Sequence, residues 1–249
     1  MSSLHTSEPD HLEASNLFYR DPELYDTVQA DSDSVRICRQ LIDRHRPDAR
    51  SLLDFGCGTG RDLELLAQHY DCIGVDLQPR LVDYAHRTRP ELDVRTGDMR
   101  TVRLGRTADV LACLGNSLAY VHDNQGIQSV FRTFAAHARP GTLLVLCCPV
   151  APTESPGPQQ VSVETRLGTA SVTINYEWDL RAQINTVRRR WVLGTGEEAH
   201  DVIRRRVLAP RELDLYTTLA GFDVVEMTDG SGRGTLTGPG AYTVARYRS

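Results

Sequence analysis

No lysine occurs among the 249 residues, so all 28 basic side chains are arginine. Every cationic contact therefore falls to a planar guanidinium, which bears on phosphate or carboxylate recognition, although GC-rich coding is explanation enough for the bias. Also missing is any apolar run near the ~20 residues of a membrane span. The opening MSSLHTSEPD lacks the charged, apolar and cleavage regions of a signal peptide. These absences predict a cytoplasmic protein with no membrane partner. There is no basic excess either: a net charge of −5 predicts a small-molecule substrate and no nucleic acid. The six cysteines form no CxxC pair and find no histidine at ligand spacing. No metal is expected, and the thiols read as reduced core residues.

What is present begins after a polar stretch, 1–14, that reads as frayed. Residues 15–46 carry apolar positions at helical spacing, interrupted at Asp21-Pro22, and predict two short helices with a bend. From Ser51 short apolar runs alternate with amphipathic stretches (SLLDF, DLELLAQHY, DCIGVD, LVDYAHRT, LDVRTGD, ADVLACLG), the βαβ order of a mostly parallel sheet. After TLLVLCC a proline-rich break, PVAPTESPGPQQ, changes the pattern. Residues 161–208 then read as β segments separated by short polar turns, an antiparallel sheet. PRELDLYTTLAG, FDVVEM and AYTVARYR predict a closing helix and two strands. The expected organisation is a helical lid over 1–46, a core of 47–150 and 209–249, and an antiparallel β insertion over 151–208.

The run DFGCGTG at residues 54–60 is a buried strand ending in a turn with glycine at every second position. Glycine there permits positive φ and lets a ligand lie on bare backbone. A dehydrogenase fingerprint would need GxGxxG, and position 61 is arginine. Asp76 ends the second strand roughly 20 residues downstream, where a ribose-binding acid belongs. The third strand ends in Gly97-Asp98-Met99, an acidic acceptor for an adenine amino group beside an apolar surface. Each acid alone could equally cap a helix or a turn; their order at successive strand ends is what points to a nucleoside cofactor.

With DFGCGTG, GVD and GDM as its glycine, ribose and adenine motifs, the chain resembles the class I methyltransferases over about residues 50–150. The resemblance implies a Rossmann-like α/β fold, a seven-stranded mostly parallel sheet with helices on both faces and a reversed last strand, and S-adenosylmethionine as cofactor. It implies Asp54 near the methionine ammonium, Gly56, Gly58 and Gly60 along the methionine and ribose, Asp76 and Leu77 at the ribose, and Asp98 and Met99 at adenine. Leu114 and Asn116, at the end of the fourth strand, complete the implied cofactor set.

That strand end runs CLGNSLAYV, similar to glycine N-methyltransferases, and offers Asn116, Ser117 and Tyr120 to a substrate. His122 follows as a further substrate contact or base. The same resemblance implies a tyrosine of the N-terminal segment over the sulfonium: Tyr25 matches best, with Phe18 and Tyr19 beside it. No arginine stands after the fifth strand to hold a glycine carboxylate. The segment GSGRG at residues 230–234 resembles the loop of bacterial N,N-dimethyltransferases of nucleotide-linked amino sugars, which makes Arg233 a substrate contact. The aromatic-rich stretch those enzymes carry after the fifth strand is absent here. Tyr25, Tyr120 and Arg233 are therefore the expected catalytic set, Tyr19, Asn116, Ser117 and His122 the further substrate contacts. The expected reaction is in-line N-methylation of a small amine. O-methylation of a natural product, a glycine-type N-methyltransferase and a non-catalytic binding partner are the alternatives. In the insertion, Arg188-Arg189-Arg190 and Arg204-Arg205-Arg206 should alternate across the strands, the middle arginine opposite its neighbours. Solvated strand faces are the more common reason for such runs; the alternative is that one set meets an anionic substrate or the other subunit of a homodimer.

Overall fold

The computed structural model describes residues 15–30, 33–166 and 168–248; the stretch 1–14 lies outside them. Among the described residues three helices precede the first strand, α1 (Leu17–Arg20), α2 (Pro22–Val28) and α3 (Ser34–His45). The interruption at Asp21-Pro22 is a helix start: Asp21 accepts the Leu24 amide at 3.0 Å and Pro22 takes the first turn, where its missing N–H costs nothing. Of the stretch 1–46 expected as a lid, residues 1–14 lie outside the described residues; Val35, Ile37, Cys38, Leu41 and Ile42 lie at helical spacing and bury α3 in the main core, while Phe18 of α1 and Leu24 of α2 pack in a separate cluster.

The alternating pattern resolves as β1 (Ser51–Phe55), α4 (Arg61–Ala67), β2 (Asp71–Asp76), α5 (Pro79–Thr88), β3 (Asp93–Thr96), β4 (Val110–Cys113), a 3-10 turn (Ser117–Tyr120), α6 (Asn124–Ala136) and β5 (Leu143–Pro149). After the insertion come α7 (Pro210–Leu219), β10 (Phe222–Asp229) and β11 (Gly240–Tyr247). The seven strands order as β10-β11-β5-β4-β1-β2-β3, parallel except for β11, which runs against both neighbours. The central strands are buried on both faces: Leu53 and Phe55 of β1 join one apolar layer, Leu52 the other. All parallel strands end at one rim, where an open α/β sheet binds its ligand.

The insertion is a four-stranded antiparallel sheet, β6 (Gln159–Thr165), β7 (Gly168–Asp179), β8 (Ile184–Val192) and β9 (Glu198–Arg206). Alternation gives it an inner face of Ala170, Val172, Trp191 and Ile203 and an outer face of charged and polar residues. The lid rests on that inner face. Phe18 packs edge-on against Trp191 at 5.7 Å and against Tyr25 at 5.6 Å, and the Leu17 amide donates to Asp201 at 3.1 Å. Arg189 bonds Asp201 at 2.5 Å while its guanidinium lies 4.4 Å from the Phe18 ring centre, which ties lid and insertion together.

Candidate active site

The glycine turn after β1 is built by its neighbours as much as by its own flexibility. Gly56 has φ +88, and a Cβ there would fall 2.4 Å from Ser117 Cβ, so only glycine lets the turn after β4 come this close. The Ser117 hydroxyl donates to the Gly56 carbonyl at 3.1 Å across that gap. Gly58, with φ +57, donates its N–H to Asp76 at 2.8 Å, and the other Asp76 oxygen accepts the Gln78 N–H at 2.8 Å. Gly60 plays a different part from the one expected of it. Its bare Cα makes room for Leu92, 3.3 Å from where a Cβ would stand, so it serves the packing of α4 on the next unit.

Beneath the turn, Asp54 is 2% exposed, and one of its carboxylate oxygens has no partner. Burial pushes its carboxyl well above the usual carboxylate range, and Asp62 and Asp76 add to the effect. An unpaired buried carboxylate is costly unless a cation completes it. Beside it, Gln78 is 3% exposed, and both its amide nitrogen and its amide oxygen lack partners.

One cleft is lined by Tyr19, Gly56, Asp76, Leu77, Gln78, Asp98, Met99, Arg100, Ser117, Tyr120 and Val121, so it gathers five of the expected cofactor residues: Gly56, Asp76, Leu77, Asp98 and Met99. Burial works to raise the Asp98 carboxyl, but the two-pronged hold of Arg100, as close as 2.6 Å, lowers it overall. Tyr19 and Tyr120 stand together with ring centres 5.9 Å apart, and the Asn16 side-chain amide lies 3.5 Å from the Tyr120 hydroxyl. Burial raises the Tyr19 phenol well above its ordinary value, with Tyr120 and Asp76 adding to it.

The cover over this cleft is latched. Thr59 in the glycine turn donates its hydroxyl to Asp26 of α2, Arg89 bonds Asp26 at 2.8 Å, and Arg61 donates to the Gln29 carbonyl. These contacts hold Tyr25 over Gly58, its Cε1 3.8 Å from where a Cβ would be. Burial raises the Tyr25 phenol, so it stays protonated at any ordinary pH.

A second cavity of about 300 Å³ opens between the rim of the main sheet and the inner face of the insertion. Asn116, Pro149 and Thr153 form one wall; Ile174, Tyr176, Asn185, Val187, Arg189, Ile203 and Arg205 form the other. Asn116 adopts φ +67, a left-handed turn that faces this cavity, while the next residue, Ser117, faces the first cleft. The two hollows thus meet at the end of β4.

Three expected site residues lie elsewhere. His122 turns a ring nitrogen to the Arg204 carbonyl at 3.1 Å, and its own carbonyl receives Arg206 at 2.9 Å, so it seams β9 to the core. The Leu114 side chain is buried in the core under the sheet. Arg233 is exposed and lines neither hollow; Gly232 lets the loop sit down on Ile37, 2.4 Å from a would-be Cβ, and the next side chain points away. Conversely, Gln78 and Asn185 escaped the reading of the sequence, which singled out Arg205 only as the middle of an alternating triplet. Gln78 left a signal: it occupies the N-cap of α5, where serine, threonine, aspartate or asparagine would cap, and makes no capping bond.

The family model for a methyltransferase domain matches residues 52–141. The dTDP-3-amino-3,6-dideoxy-alpha-D-glucopyranose N,N-dimethyltransferase of Streptomyces fradiae is 31% identical over 209 residues, 81% of this chain and 82% of that protein. Among solved structures, the chain resembles the S-adenosylmethionine-bound amino pentose methyltransferase CalS10 of Micromonospora echinaspora, with TM-score 0.75 and 24% identity over 99% of both chains. It also resembles the sugar N-methyltransferase KedS8 of a Streptoalloteichus species, with TM-score 0.77 and 23% identity over 100% of this chain and 98% of that one. At these identities the two structures attest to the fold.

Proposed function

Because this chain belongs to the class I S-adenosylmethionine-dependent methyltransferases, we propose that it methylates the amino group of a nucleotide-linked amino sugar or a close analogue in natural-product biosynthesis. The observation that carries this reading is the likeness to an amino-sugar N,N-dimethyltransferase across four fifths of the chain, together with a second cavity that meets the cofactor cleft at the end of β4.

The residues present fit the donor. Asp54 has a buried oxygen with nothing to bond, suited to the methionine ammonium; Gly56 and Gly58 offer bare backbone; Asp76, Asp98 and Met99 line the cleft where ribose and adenine belong. Gln78 adds a donor and an acceptor to the same cleft. When bound, S-adenosylmethionine supplies an electrophilic methyl group on a sulfonium. The chain's own work is to hold the acceptor nitrogen in line with that carbon and to keep water out, and such positioning accounts for much of the rate in displacement chemistry. Ser117 and Asn116 stand where the acceptor would enter, and Tyr120 and Tyr19 turn their hydroxyls toward the meeting point. Tyr25, closed over Gly58 by the Asp26 latch, excludes solvent. An acceptor amine held there by Asn116, Ser117 and Tyr120 would take up that methyl group as its free base and give its surplus proton to solvent.

The finer expectations belong to the same proposal. Among the described residues no helix is long and apolar enough to cross a membrane. The edge strand β6 carries a largely exposed row that includes Val161, which favours a homodimer formed on the insertion. Purified protein incubated with S-adenosylmethionine and a dTDP-3-amino-3,6-dideoxyhexose is expected to give a product one or two methyl groups heavier by mass spectrometry. Absence of product, with S-adenosylhomocysteine still binding, would rule out this acceptor class.

A further inference from the structure

Arg205 differs from the other deeply set arginines of the molecule. Arg189 meets Asp201 at 2.5 Å, Arg206 meets Glu212 at 2.9 Å, Arg46 meets Asp109 at 2.6 Å and Arg89 meets Asp26 at 2.8 Å. Arg205 faces phenols. It stands among the phenols of Tyr120, Tyr19 and Tyr176, and its Nε has no partner. Burial works against its charge, yet the surrounding phenol oxygens outweigh burial and hold the guanidinium protonated. Among the described residues no carboxylate bonds to it.

Directly across the ladder on β8 stands Asn185, paired in register with Arg205 and 5% exposed. Its amide nitrogen donates to the Thr153 carbonyl at 3.2 Å, which leaves its oxygen without a partner. Both residues line the 300 Å³ cavity, and among the described residues no aspartate or glutamate lines it. Asp201 cancels the charge of Arg189, the other arginine there. The cavity therefore holds an uncompensated positive charge, and arginine cannot escape the cost of burial by losing a proton. The arrangement is completed by an anion.

We propose that Arg205, with Asn185 beside it, anchors an anionic oxygen group on the acceptor molecule, a phosphate or a carboxylate. The guanidinium then supplies charge and a free N–H, and the Asn185 oxygen takes a neighbouring O–H or N–H of the same molecule. Tyr120, an electrostatic neighbour of Arg205, lines the cofactor cleft, so the anchored group lies beside the point where the two hollows meet. That the anchored molecule is the methyl acceptor rests on the function proposed above; the anion site itself does not.

The test uses full-length protein saturated with S-adenosylhomocysteine and titrated calorimetrically with inorganic pyrophosphate or with acetate, at constant ionic strength set by chloride. One of the two is expected to bind above the chloride background. Pyrophosphate preference identifies a phosphate-bearing acceptor, acetate preference a carboxylate-bearing one. Arg205→Gln should weaken that binding by about tenfold or more, as expected when a charge-assisted contact is lost, and Arg205→Lys should recover part of it. Should Arg205→Gln fail to fold, Asn185→Asp places a carboxylate across the strand from Arg205 and should abolish anion binding while leaving S-adenosylhomocysteine binding intact. No anion binding by the wild type, or equal binding by the variants, overturns the anchor. Methyl transfer to an amino sugar alongside such a result would leave the proposed function standing. Arginine-dependent anion binding without transfer to any amino sugar would do the reverse.

Discussion

Asp76 accepts the Gly58 amide hydrogen at 2.8 Å, and with the Val75 carbonyl, which takes the Gly56 and Cys57 amides at 2.7 and 3.1 Å, the end of β2 fixes the shape of the turn that ends β1. The other Asp76 oxygen holds the Gln78 amide. Asp76 therefore builds the cleft as well as lining it. Asp76→Ala should weaken S-adenosylhomocysteine binding by roughly 1–3 kcal/mol, the range for charged hydrogen-bond partners, and should also lower the melting temperature of the ligand-free protein. Calorimetric binding equal to wild type would show that the second strand does not hold the cofactor.

Asp54 yields a pH dependence. Its folded carboxyl is raised by burial above the unfolded value, so in the ligand-free protein it contributes stability that is present below the ordinary carboxylate range and is lost as pH rises through the folded value. A bound ammonium pairs with the ionised form and reverses that loss. The thermal shift produced by S-adenosylhomocysteine should grow as pH rises through the weakly acid range, and Asp54→Asn should flatten the dependence. A shift independent of pH in the wild type would disconnect Asp54 from the ligand.

Gln78 lies between the ribose acid and the first turn of α5 with an amide that bonds nothing. Gln78→Ala should leave the fold intact and weaken S-adenosylhomocysteine by about 1 kcal/mol, the usual worth of a neutral hydrogen bond. Unchanged affinity would mean that the amide serves neither ligand nor fold.

Asp109, at the opposite end of the sheet from the site, tests stability alone. Burial works to raise its carboxyl, but Arg139, the Arg50 amide, the Ser51 hydroxyl and Arg46 outweigh that and depress it far below the usual range. Its stabilising contribution is full above the unfolded carboxylate value and is lost as pH falls toward the folded one. Asp109→Asn, which leaves Arg46 without its partner, should cost about 3–5 kcal/mol by chemical denaturation at neutral pH. A loss under about 1 kcal/mol would mean that the buried pair is solvated.

The cofactor side of the site was legible in the sequence because DFGCGTG, GVD and GDM are local: each is a strand and the turn that follows it, and position in the chain dictates position at the rim. The strand alternation of the insertion also showed in the sequence, and it correctly turned Arg189 and Arg205 inward and left Arg188, Arg190 and Arg204 exposed. Arg206 departs from the pattern because it ends β9, where Glu212 of the next helix reaches back to it. What the sequence could not show is which arginine has a counter-ion. Asp201 lies twelve residues from Arg189 and pairs with it only through the β8–β9 register, and the isolation of Arg205 exists only once every other carboxylate has found its place. Arg233 misled for the opposite reason: its motif is local, but the direction of its side chain depends on how Gly232 seats the loop against α3.

The two tyrosines expected in the site make separable contributions. Tyr120 lines the cofactor cleft near Arg205 with its ring against Tyr19, and on the proposed function its hydroxyl would orient the acceptor at the end of β4. Tyr25 comes from the lid and lies over Gly58, held there by Asp26 through Thr59 and Arg89. Tyr120→Phe keeps the ring packing against Tyr19 and removes only the hydroxyl. It should lower kcat about tenfold, the rate equivalent of roughly 1.4 kcal/mol, with little change in cofactor affinity, because an orienting contact matters most at the transition state. Tyr25→Phe keeps the ring and therefore most of the cover, and should reduce kcat less. Asp26→Ala frees the lid and should raise the cofactor dissociation rate while leaving the contacts of Tyr120 untouched. The measurements are steady-state kinetics with an amine acceptor and stopped-flow release of S-adenosylhomocysteine. If Tyr120→Phe raised only the acceptor KM, its hydroxyl would be a binding contact held equally in ground and transition states. If Asp26→Ala released cofactor no faster than wild type, α1 and α2 would be a fixed wall.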